Sequence, residues 1–143
     1  MPPDAPDLSL TQLDAILAFL PIFERQGYSF GEWHAPEGVF PYWDASPEAS
    51  AFVATLYREQ FITPFDWVSW MPEVQRYVEG WDTALATADL ASLRKLMTAH
   101  MRADRFSEGT LAAQFESGHI TAVLRRLKQI RDAVAARESS QEP

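Results

Sequence analysis

At 143 residues, with 47% apolar and 22% charged side chains, the chain is long enough for one hydrophobic core and too short for two. A formal charge of −8 argues against nonspecific binding to nucleic acid or to an anionic membrane, because those polyanions must be met by a positive surface. The absence of cysteine excludes a disulfide framework, thiolate chemistry and Cys-ligated metal; it suits a reducing compartment, and the cytoplasm is the expected location.

In chain order, residues 1–8 hold three prolines and two aspartates with nothing to pack, and they read as a flexible arm without the basic start of a secretory signal. Thr11 followed by Asp14 resembles a capping box, and Leu13, Ile16, Leu17, Leu20 and Phe23 follow at helical spacing. Pro21 should bend or restart that helix, and Gly27 should end it. From Tyr28 to Trp43 the pattern turns to alternation around Ala35-Pro36-Glu37-Gly38, the signature of a short two-stranded hairpin near residues 28–43. Ser46-Pro47-Glu48 opens a second helix: an N-cap, a proline at the first helical position and an acid in the first turn. Residues 61–72 hold four aromatics and two prolines without a period, which predicts a buried irregular loop or a single helical turn. A helix over residues 72–79 stops at Gly80, one capped by Asp89 carries Leu93, Leu96 and Met97, and one opening at Ser107-Glu108 closes at Gly118. The last, from His119 to Ala136, has one apolar and one basic face. The expected fold is therefore mostly α: a single bundle of about six helices over residues 9–136, with the hairpin packed on it and residues 137–143 as a frayed tail.

No apolar stretch approaches the roughly 20 residues that span a bilayer. Charge is unevenly spread, with 3 basic and 13 acidic side chains in residues 1–87 against 8 basic and 4 acidic in residues 88–131. The two segments should attract one another, within the fold or between the subunits of a homodimer.

The densest polar cluster runs from His100 to Glu108 and holds five ionisable groups: His100, Arg102, Asp104, Arg105 and Glu108. Arg102 or Arg105 could clamp a carboxylate or phosphate, and the free amides of a helix starting at Ser107 would favour the same anion. A purely structural corner explains the cluster equally well, because macrodipoles favour basic groups at one helix end and acids at the next helix start. His100 and Asp104, four apart on one helix face, or His100 and Glu108, form the candidate acid-base pair of a hydrolase. His34 and His119 read as surface or capping residues. No two histidines have ligand spacing, so neither a metal nor a cofactor is expected. Some of the tryptophans, Trp33 and Trp67 among them, are candidate pocket walls, the remainder core. The basic face of the last helix is the ordinary solvated side of an amphipathic helix rather than a reader of DNA.

Leu20-Pro21-Ile22-Phe23, Phe30-Gly31-Glu32-Trp33, Pro64-Phe65-Asp66-Trp67, Asp104-Arg105-Phe106-Ser107-Glu108-Gly109, Gly118-His119-Ile120 and Leu124-Arg125-Arg126-Leu127 occur in this order. They resemble a family of small bacterial and archaeal proteins catalogued only as a domain of unknown function. The resemblance covers roughly residues 10–131 and implies no activity, cofactor or catalytic residue.

Three functional expectations follow. The first is a binding or regulatory module that takes an anionic small molecule or peptide carboxylate at Arg102, Arg105 and Ser107, with Trp33 and Trp67 near it. The second is a hydrolase-type enzyme using His100 with Asp104 or Glu108. The third is a protein-protein interaction module whose exposed aromatics meet a partner.

Overall fold

A computed structural model describes residues 8–106 and 109–141. The elements are α1 (Leu10–Leu17), α2 (Leu20–Phe23), β1 (Gly31–His34), β2 (Tyr42–Ala45), α3 (Pro47–Arg58), α4 (Met71–Val78), α5 (Trp81–Ala86), α6 (Leu90–Phe106), α7 (Thr110–Glu116) and α8 (His119–Gln141). The fold is mostly helical, with one small antiparallel hairpin. No helix among the described residues is long and apolar enough to cross a membrane.

Local chemistry starts the helices. Ser46 Oγ accepts from Ala49 N at 3.1 Å ahead of α3, and Asp89 Oδ1 accepts from Ser92 N at 2.8 Å ahead of α6. At α1 the cap is Ser9 rather than Thr11. Ser9 Oγ accepts from Gln12 N at 3.2 Å while Gln12 Oε1 takes the Ser9 amide at 2.9 Å, a reciprocal box that Thr11 and Asp14 do not form. Leu8 then falls just before the cap and Leu13 at the fourth helical position, the spacing of a hydrophobic staple. Leu8 is accordingly buried in the core, not part of a loose arm. Pro21 restarts the first helix as α2. α8 continues past Ala136 to Gln141, since Ala135, Ala136, Arg137 and Glu138 are good helix formers and no Gly or Pro interrupts them.

α8 is the spine, packing against α1, α2, α5, α6 and α7. Its stripe of Ile120, Val123, Leu124 and Leu127 is buried against Leu93, Leu96 and Met97 of α6 and Leu13 and Ile16 of α1. Its basic side chains are occupied within the chain. Arg125 Nε meets Glu24 at 2.8 Å, Arg131 Nε meets Asp14 at 2.8 Å, and Arg126 Nε donates to Ala88 O at 2.9 Å. The acidic front of the chain and its basic rear are thus joined inside the fold.

The other half of the core is aromatic. Phe115, fully buried on α7, lies 5.9 Å from Phe23, 5.5 Å from Phe30, 5.9 Å from Trp43 and 6.0 Å from Phe52, ring centre to ring centre. Two of these rings belong to the hairpin region, so Phe115 is what seats the sheet on the bundle. The register pairs Gly31 with Ala45, Glu32 with Asp44, Trp33 with Trp43 and His34 with Tyr42. Gly31, Trp33, Trp43 and Ala45 therefore share the face toward the bundle, while Glu32, His34, Tyr42 and Asp44 share the other. A Cβ on Gly31 would lie 2.6 Å from Asp44 O and from the Trp43 ring. Gly31→Ala is expected to cost about 1–3 kcal/mol and to loosen the hairpin, read by urea unfolding and near-UV circular dichroism. Unchanged values for both would show that the close approach is not required.

Candidate functional site

The described part of the sequence cluster, His100 to Phe106, ends α6, and the structure turns its residues to two different sides. His100 points inward and is 2% exposed. Its Nε2 lies 3.1 Å from Nε2 of His119, the first residue of α8, and the rings meet edge to face at 5.1 Å. His119 is also fully buried, shielded by Trp81 at 5.5 Å, so its expected surface position is overturned. Burial disfavours the charged imidazolium and pushes His100 down to about 3, with the neighbouring His119 adding to the effect; burial alone pushes His119 down to about 4. Both rings are neutral at physiological pH and share one hydrogen bond.

Asp104, the expected orienting carboxylate, is otherwise engaged. Its Oδ1 accepts from Leu111 N at 3.0 Å and so caps the first turn of α7 from the preceding helix. It makes no hydrogen bond with His100 among the described residues. The amide that a ligand anion would take at this helix start is already satisfied by the protein's own carboxylate. Ser107 and Glu108 lie outside the described residues.

Arg102 and Arg105 are on the outer side, half-buried and exposed respectively. Neither side chain forms an ion pair or hydrogen bond among the described residues. Trp33 reaches the start of α7 from the hairpin: its ring lies so close over Gly109, which precedes α7 with φ +98°, that a Cβ there would be 3.1 Å from the indole. Trp33 nevertheless remains 50% exposed. Trp67, by contrast, is half-buried against the core on the segment between α3 and α4.

His119 was legible in principle. It stands four and eight residues before Val123 and Leu127, in phase with the apolar stripe of α8, as His100 stands seven after Leu93 on α6. A histidine in phase with an apolar stripe faces the core, whatever its position next to a glycine. Among the described residues, no group of three or more His, Cys, Asp and Glu is placed to hold a metal ion.

Residues 8–133 match a family of unknown function, DUF6508. No curated protein and no solved structure matches the chain.

Proposed function

Because the chain belongs to this family of unknown function, membership brings no activity with it, and we propose from the geometry that it is a protein-interaction module. The observation that carries the reading is a concentration of exposed apolar side chains on the hairpin. Trp33, Val39, Phe40 and Tyr42 are 50%, 57%, 91% and 42% exposed within ten residues. A projecting Phe40 at the loop tip is an anchor shaped to enter a partner's pocket.

Charge sets the orientation of the partner. Glu32, Glu37 and Asp44 flank the apolar tip, whereas Arg102 and Arg105 stand near the end of α6 and Trp33 lies over Gly109, just ahead of α7. The partner is a peptide segment or protein edge with an apolar or basic stretch over the hairpin and a carboxylate on the arginines. The cytoplasm suits a cysteine-free module of this kind.

Selection of peptides from a random display library against the purified protein tests this. Enriched peptides should combine an apolar residue with an acidic side chain or free C-terminus. Phe40→Ala and Arg105→Ala should each weaken binding about tenfold or more, the effect of losing an interface anchor. Both side chains are exposed, so melting temperatures should not move. No enrichment, or binding indifferent to both substitutions, would refute the proposal.

A further inference from the structure

A cleft of about 180 Å³ opens on the inner side of the same corner, between α4, α6 and α7. Val74 and Ala99 form its buried floor, Val78 and Ala103 its half-buried walls, and the exposed Met71 its rim. His100 lines it as well, beside Gln75, Thr110 and Gln114. With the imidazole neutral, none of these residues carries a charge. Apolar walls with a few converging polar groups are the ordinary make-up of a small-ligand site.

The histidine pair decides what the cleft offers. His119 Nδ1 is buried and has no partner among the described residues. A stranded N–H is the rarer and costlier kind of orphan, so the proton of His119 belongs on Nε2, from which it donates to His100 Nε2. His100 then carries its own proton on Nδ1. No hydrogen bond to that nitrogen is made among the described residues, and His100 lines the cleft, so the Nδ1–H is the donor this ring can offer there.

We propose that this cleft binds a small, uncharged, largely apolar molecule bearing a carbonyl, held by the Nδ1–H of His100. At ~30 Å³ per water the space holds about six waters, or a single six-membered ring with its substituent. A carboxylate is disfavoured, because no cation lines the cleft to offset its burial. His119 is the positioning residue, since it sets the tautomer from behind without reaching the ligand. The site is independent of the hairpin: Phe40 and Arg105 do not line it, and loss of peptide binding would leave it intact.

Nitrogen-15 NMR of the full chain tests the proposal with cyclohexanone and its hydrocarbon counterpart methylenecyclohexane. His100 should be the Nδ1–H tautomer in the free protein. Cyclohexanone at millimolar concentration should shift the His100 ring nitrogens and the Ala99 and Ala103 amides saturably, and should bind about tenfold more tightly than methylenecyclohexane, the difference one buried hydrogen bond makes. Ala103→Leu should fill the cleft and abolish the shifts while keeping the melting temperature, with Val78→Phe as the substitute should that variant fail to fold. An Nε2–H tautomer at His100, equal affinity for ketone and hydrocarbon, or the absence of any saturable shift would each overturn it.

Discussion

Acidification from pH 6.5 to about pH 4 should remove ~3 kcal/mol of stability through His119 alone, a large share of the roughly 5–15 kcal/mol that holds a domain together. The folded chain holds this ring neutral down to about 4, whereas in the unfolded chain it charges at its ordinary 6.5. Above 6.5 neither state binds the proton and the contribution is complete. Below 6.5 only the unfolded state gains it, and stability falls with pH until the folded value is reached. His100, pushed down to about 3, acts in the same direction over a wider range, and a first proton on either ring raises the cost of a second. The aspartates held below the usual carboxylate range by hydrogen bonds, Asp66, Asp89 and Asp132, lose their contribution at still lower pH, so the window from 6.5 to about 4 belongs to the histidines. Urea unfolding at a series of pH values measures the slope. Replacing the pair together by His100→Leu and His119→Leu removes both partners of the bond, and the double variant should lose most of that slope. Parallel curves for wild type and variant would show that the pair is not the origin.

Phe115→Ala is expected to cost about 3–5 kcal/mol, the range for truncating a buried aromatic ring, and to do more than destabilise. Phe115 is the ring on which Phe30 and Trp43 stack, so its loss leaves the hairpin without a seat. Urea unfolding gives the stability change, and hydrogen exchange should show residues 31–45 losing protection before α1, α6 and α8 do. Phe115→Leu, which keeps most of the apolar volume, should cost less and leave the hairpin in place. If hairpin exchange in Phe115→Ala followed the bundle with no local opening, the aromatic seat would not be what holds it. The consequence reaches the proposed function: a hairpin free of the bundle no longer holds Trp33 over Gly109, and peptide binding should fall with it.

How readily each element could be read follows from how local its cause is. The start of α3 was plain because Ser46, Pro47 and Glu48 act on the first turn beside them. The start of α1 was displaced by two residues because Ser9 with Gln12 and Thr11 with Asp14 are both chemically acceptable caps, and burial of Leu8 selects the first. α5, Trp81–Ala86, has no side-chain cap and lies too close to Gly80 to announce itself; packing against α4 and α8 forms it. The candidate site divides in the same way. Arg102 and Arg105 keep the outward placement near a helix C-terminus that the macrodipole favours for basic groups, with no ion pair among the described residues. Asp104 was expected to orient His100 because they are four residues apart on one helix, yet the amide of Leu111, brought close by the turn into α7, takes the carboxylate instead.

The sequence by itself determined that the chain is mostly helical, because apolar periodicity and caps act over one or two turns and need no distant partner. It also determined the hairpin and its turn, where Pro36 and Gly38 leave the backbone little choice. Only the tertiary structure decided which histidine meets which, since His100 and His119 are 19 residues apart and touch only once α8 folds back on α6. The same holds for the hairpin's aromatics: which rings are buried and which reach solvent depends on where Phe115 stands beneath them, and that position is set by the packing of the whole bundle.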